Sequence, residues 1–175
     1  MKTIKGYVCV GRVALGEEPR EEILFGPHVK NGGWFYESLR SNGLRVYEIL
    51  DRALEGFYEL LDSAEFDRVR VGELRMTIAE DDKEIKNILG YENFVVLSSE
   101  KHGLGGALSM SLLGPNSNGN NDERDLGMDL SRNGLEGFKD IGEAICLARR
   151  IRKSTDDPIW ISTFELGFVD YSDLK

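Results

Sequence analysis

A chain of 175 residues with 41% apolar content is long enough for one buried core and needs no metal or disulfide staple. Its net charge of −9 leaves no large segment strongly basic, and without a basic footprint direct binding to DNA or RNA is not expected. No apolar run approaches the roughly 18 residues of a membrane span, so no membrane partner is expected either.

The opening MKTIKGYVCV carries two lysines, but Gly6 and Arg12 break its apolar run before it could act as a secretory signal, which predicts a cytoplasmic protein. Cys9 and Cys146, in segments that read as a strand and a helix, predict reduced, buried thiols. Residues 2–15 alternate through Ile4, Val8, Val10 and Val13 as a first strand with a bulge near Gly11. An acidic turn and Ile23–Phe25 then suggest a hairpin return. Glycines punctuate 26–43, where Trp34, Phe35 and Tyr36 stand together as either a helical turn or a lead-in to the next element.

From about Leu44 to Ala64, Tyr47, Leu50, Leu54, Phe57 and Leu61 recur at steps of three and four, predicting a long amphipathic helix with Ser41 or Asn42 as its cap. Gly56 in its interior implies a close approach by a neighbour. FDRVRVGELRMTI alternates with a phase slip at Gly72, a strand expected to have one dry face and one wet, arginine-bearing face. A short helix is expected over 79–90. Two strands, about 93–101 and 106–113, flank a turn containing GLGG; strand periodicity after that turn argues against a phosphate-cradling loop. Residues 115–125 read as an exposed loop, and 126–130 as a brief strand. Asn133 and Glu136 have capping-box spacing ahead of a second long helix, 135–153, whose basic end suits the negative pole of the helix dipole. Trp160, Phe164, Leu166 and Phe168 make an apolar last strand.

The order predicts a single α+β domain over 1–175: a mainly antiparallel twisted sheet of about six strands with two long amphipathic helices on one face. No internal repeat and no dividing linker is expected. Zinc, P-loop, GxSxG and CxxC patterns do not occur, and the acidic triplet Glu80–Asp82 lacks the spacing for a cation, so no metal or cofactor is expected. The leading functional reading is a small acidic binding protein that docks on and inhibits or neutralises another protein, in the manner of immunity proteins or phage inhibitors. Its negative charge would steer a basic protein partner. The candidate partner-binding residues are Trp34, Phe35 and Tyr36 beside the glycine loop, with Glu48, Asp51, Glu55 and Glu59 on the wet face of the first helix. A hydrolase or transferase using His28 or His102 with a carboxylate is the alternative, and a homo-oligomeric structural subunit, joined through the apolar last strand, is the third reading.

Overall fold

The computed structural model describes residues 1–14, 21–29, 33–102, 107–116 and 126–170. Among the described residues the fold is mainly β: nine strands form one curled antiparallel half-barrel, with two short helices. In chain order these are β1 (Lys2–Val13), β2 (Glu22–Gly26), β3 (Glu37–Ser38), α1 (Leu50–Asp62), β4 (Phe66–Ala79), β5 (Phe94–His102), β6 (Ala107–Pro115), β7 (Gly127–Asp129), α2 (Ile141–Arg152), β8 (Ile159–Thr163) and β9 (Glu165–Phe168). The sheet runs β3-β2-β1-β4-β8-β5-β6-β7, and β9 continues the ladder of β8 along β4. Among the described residues no helix is long and apolar enough to cross a membrane.

The expected α+β layering is therefore wrong, and the reason lies just before each helix. Residues 42–49 and 133–140 have helix-like apolar spacing but fold as hooks. Gly43 and Leu44 take φ of 69° and 63°, and Gly134 and Leu135 take 72° and 63°, left-handed conformations that a continuing α-helix excludes. Tyr47 then pairs with Tyr7, and Phe138 with Phe94, as bridges on strand edges. Only 13 and 12 residues remain for α1 and α2.

The two hooks are copies of one another. Asn42 Nδ2 donates to the carbonyls of Pro27 and Arg45 (3.2 and 2.9 Å), and its Oδ1 accepts from Arg45 N (3.0 Å). Asn133 repeats this with Pro115, Glu136 and Glu136 N (3.0, 2.9 and 3.2 Å). Leu44 N bonds Leu39 O, and Leu135 N bonds Leu130 O, both at 3.0 Å. A Cβ on Gly26 would strike the Arg45 carbonyl, as one on Gly114 would strike that of Glu136. Strand pairing agrees: β1 lies between β2 and β4 as β5 lies between β6 and β8. The chain is thus an internal duplication, β1-β2-β3-α1-β4 followed by β5-β6-β7-α2-β8/β9, contrary to the expectation of no repeat. The two units join antiparallel through β4 and β8/β9 in one unbroken register, from Gly72↔Phe168 to Ala79↔Ile161.

Both faces of the sheet are dry, so the single-faced sheet is also corrected. One face holds Val8, Val10, Leu24, Leu74, Met76, Val95, Leu97, Met110 and Leu112 in a continuous cluster that Leu39, Leu44 and Leu130 of the hooks complete. On the other face α1 covers Cys9, Val69 and Val71, while α2 covers Val96, Ile159 and Ile161. This explains the slip in β4: its register with β1 is regular through Gly72, but Val69 and Val71 face α1 whereas Leu74, Met76 and Ile78 face the interior. The register of β1 on β4 shifts between Arg12 and Val13 rather than at Gly11, and the extra residue is Asp67 of β4. The short helix before β5 is a single 3₁₀ turn, Ile85–Ile88. The curl brings the sheet's ends together, where Met110 N donates to Arg40 O (2.8 Å) and Arg132 pairs with Glu21 (3.1 Å).

Candidate functional site

An open groove of about 1000 Å³ lies where the start of β1, the first hook and the first turns of α1 converge. Lys2, Thr3, Ile4 and Lys5 form one wall; Leu44 to Ile49, Arg52 and Glu55 form the other; Pro27, His28, Trp34 and Phe35 close the end. Trp34, Phe35 and Ile49 are 59%, 50% and 55% exposed, so three large apolar side chains meet in water at one place.

The ledge they form is fixed from behind. Phe35 N donates to Glu59 (2.7 Å), and the Tyr47 hydroxyl donates to the Phe35 carbonyl, so both backbone polar groups of Phe35 are tied down while its ring stays wet. Tyr36 stacks edge-on with Trp34 (6.2 Å between centroids) and with Phe25 (5.3 Å), and Phe25 in turn with Phe66 (5.4 Å), a row running from solvent into the core. Burial, then the charges of Glu65 and Glu59, raises the Tyr36 pKa. Burial also raises that of Tyr47, whose ring fills the space where Gly56 carries no Cβ.

Of the sequence-predicted residues, the structure brings Trp34, Phe35, Glu48 and Glu55 together in the groove wall. Tyr36 and Glu59 support it from outside. Asp51, exposed in the first turn of α1, does not line it. Sequence reasoning missed Ile49, Arg45, Lys2 and Lys5, because the hook that carries the first two was read as helix. The lining holds Lys2, Lys5, Arg45 and Arg52 against Glu48 and Glu55; Glu55 is paired with Arg52 at 2.8 Å, and Lys5 reaches Glu73 outside the groove at 3.7 Å. In a chain of net charge −9, positive charge therefore collects here.

His28 lines the same groove, whereas the His102 side chain and the GLGG turn lie outside the described residues, as does most of the 115–125 loop. Among the described residues no group of three or more His, Cys, Asp and Glu side chains could hold a metal ion. Cys9 is buried as expected, but Cys146 is exposed on α2. The apolar last segment is split: β8 lies between β4 and β5 with Phe164 buried after it in the interior cluster, whereas β9 pairs with β4 and leaves Phe168 exposed. A smaller cavity of about 190 Å³ between the hooks, lined by Leu39, Leu112, Leu130 and Leu135, belongs to the seam between the two units. Comparison with protein-family models, with curated proteins and with solved structures returned no match.

Proposed function

We propose that this protein is a binding module that docks on another protein through the Trp34–Phe35 groove and inhibits or escorts it. The observation that carries the reading is the anchoring of Phe35: its backbone is held by Glu59 and Tyr47 while its ring and that of Trp34 remain in water. A hydrophobic ledge ordered before its partner arrives loses little further conformational entropy on binding. Exposed aromatics backed by a rigid scaffold are also the residue type that dominates interface energetics. The net charge as a whole suits a basic partner, but the groove's own lining suits a partner segment that is apolar and acidic.

The test is a double variant, Trp34→Ala with Phe35→Ala. Circular dichroism and the thermal midpoint should match those of the parent protein. A partner retained by the parent protein, identified by mass spectrometry and reconstituted from purified components, should bind the variant at least about thirtyfold more weakly. Equal binding by the variant would place the interface elsewhere.

A further inference from the structure

Among the described residues no strand pairs with the groove-side edge of β1 ahead of Tyr7. Tyr7 uses both its N–H and its C=O on Tyr47 (2.8 and 2.9 Å), away from β4, so the Tyr7–Glu73 position is a non-hydrogen-bonded pair of the β1–β4 ladder. Two and four residues earlier, Lys5 opposite Arg75 and Thr3 opposite Thr77 occupy the same kind of position. Thr77 agrees, since its N–H bonds the Thr163 hydroxyl on the far side at 2.8 Å. The N–H and C=O groups of Thr3 and Lys5 therefore point into the groove. β2 reaches along β1 only from Cys9 to Arg12, and after Tyr47 the chain turns off into α1 instead of continuing beside Lys5. In the second unit, β5 begins at Phe94, the equivalent of Tyr7, so this stretch of open edge is peculiar to the first unit.

We infer, resting on the reading of the groove as a docking site, that its occupant is an extended segment of a partner protein carrying both acidic and apolar side chains, added as a strand to the Lys2–Lys5 edge of β1. A strand laid there satisfies the edge groups with main-chain hydrogen bonds, which supply affinity without sequence preference, while alternate side chains supply selectivity. Lys2 and Lys5 fall on opposite faces of β1, so each face of the added strand has a lysine beside it, while Trp34, Phe35, Ile49, Arg45 and Arg52 line the groove around it. Lysines on an exposed edge commonly keep like chains from pairing. Here they set two copies against each other where their β1 edges would meet and favour a segment bearing carboxylates.

A displayed library of random peptides of about ten residues, long enough to cover a strand, is selected on the full chain. Selected peptides should combine Asp or Glu with apolar residues and lose affinity at least about tenfold against Trp34→Ala. They should slow amide hydrogen exchange at Thr3 and Lys5, and N-methylation should abolish binding at one parity of peptide positions while the other tolerates it. Binders that need Trp34 but leave Thr3 and Lys5 exchange unchanged, and tolerate N-methylation throughout, would overturn strand addition while leaving the groove reading standing. Selection of Lys- or Arg-rich peptides would overturn the acidic assignment, and concentration-dependent self-association that protects the same two amides would give the edge to a second copy. Failure to recover any binder sensitive to Trp34→Ala would remove the groove reading itself.

Discussion

Asn42 and Asn133 each hold a hook closed with three hydrogen bonds from a buried side-chain amide. Replacing either by Ala strands two carbonyls and one N–H and should cost about 2 to 4 kcal/mol in urea denaturation, with similar values at the two sites because the bonds are the same. Cys9 makes a second prediction at this scale. Its thiol donates to the Ala53 carbonyl (3.1 Å), and burial pushes its pKa from the ordinary value of 9.0 to about 12. Above the lower value the unfolded chain ionises at this thiol while the folded chain keeps its proton. Stability attributable to Cys9 is therefore complete below about pH 9 and falls as pH rises toward about 12, by up to roughly 1.4 kcal/mol per unit. Tyr47, also raised by burial, adds in the same direction. The gap between denaturation midpoints measured at about pH 8 and about pH 10.5 should be smaller in Cys9→Ala than in the parent protein, with the part due to Tyr47 remaining.

The helices differ at their starts. Asp140 caps α2 by accepting from Gly142 N at 2.7 Å, whereas Ile49 has the extended backbone of a cap, φ −130° and ψ 149°, without a side chain able to accept. Ile49→Asp should stabilise the fold by about 1 kcal/mol and Asp140→Ala should destabilise it by about as much, both read from thermal midpoints. Ile49→Asp should also weaken partner binding, since it puts a carboxylate on the apolar ledge. Element identity was legible from sequence where periodicity and partner agreed: β1, β2, β4, β5, β6 and β8 are strands in the expected places. It failed where short-range spacing imitated a helix. Tyr47 sits three residues before Leu50, but its neighbour is Tyr7 on β1, a pairing that spacing within the segment cannot express. The aromatics Trp34 and Phe35 were legible as a site because they are large, adjacent and set beside glycines. Lys2 and Lys5 were not, because an open edge is a property of what fails to pair.

At the scale of the molecule, the duplication was written in the sequence and overlooked. Leu39-Arg-Ser-Asn-Gly-Leu44 and Leu130-Ser-Arg-Asn-Gly-Leu135 share their leucines and Asn-Gly, and each follows a Gly-Pro pair, Gly26-Pro27 or Gly114-Pro115. Each hexapeptide closes its own hook and sends its leucines into the interior that the two units share: Leu39 and Leu44 from the first, Leu130 and half-buried Leu135 from the second. Neither unit closes that interior alone, because Val10 and Leu24 of the first belong to the same cluster as Leu97 and Met110 of the second. The units should therefore unfold together despite being copies. Leu39→Ala and Leu130→Ala remove buried side chains, 1% exposed in both cases, and each should cost about 2 to 5 kcal/mol. Native-state hydrogen exchange then separates shared from separate cores. With one shared interior, Leu130→Ala lowers the protection of β1 amides as much as that of β5 amides, although β1 lies in the other unit. Loss of protection confined to β5, β6 and β8 would mean that the units hold separate cores and that the half-barrel is two domains side by side.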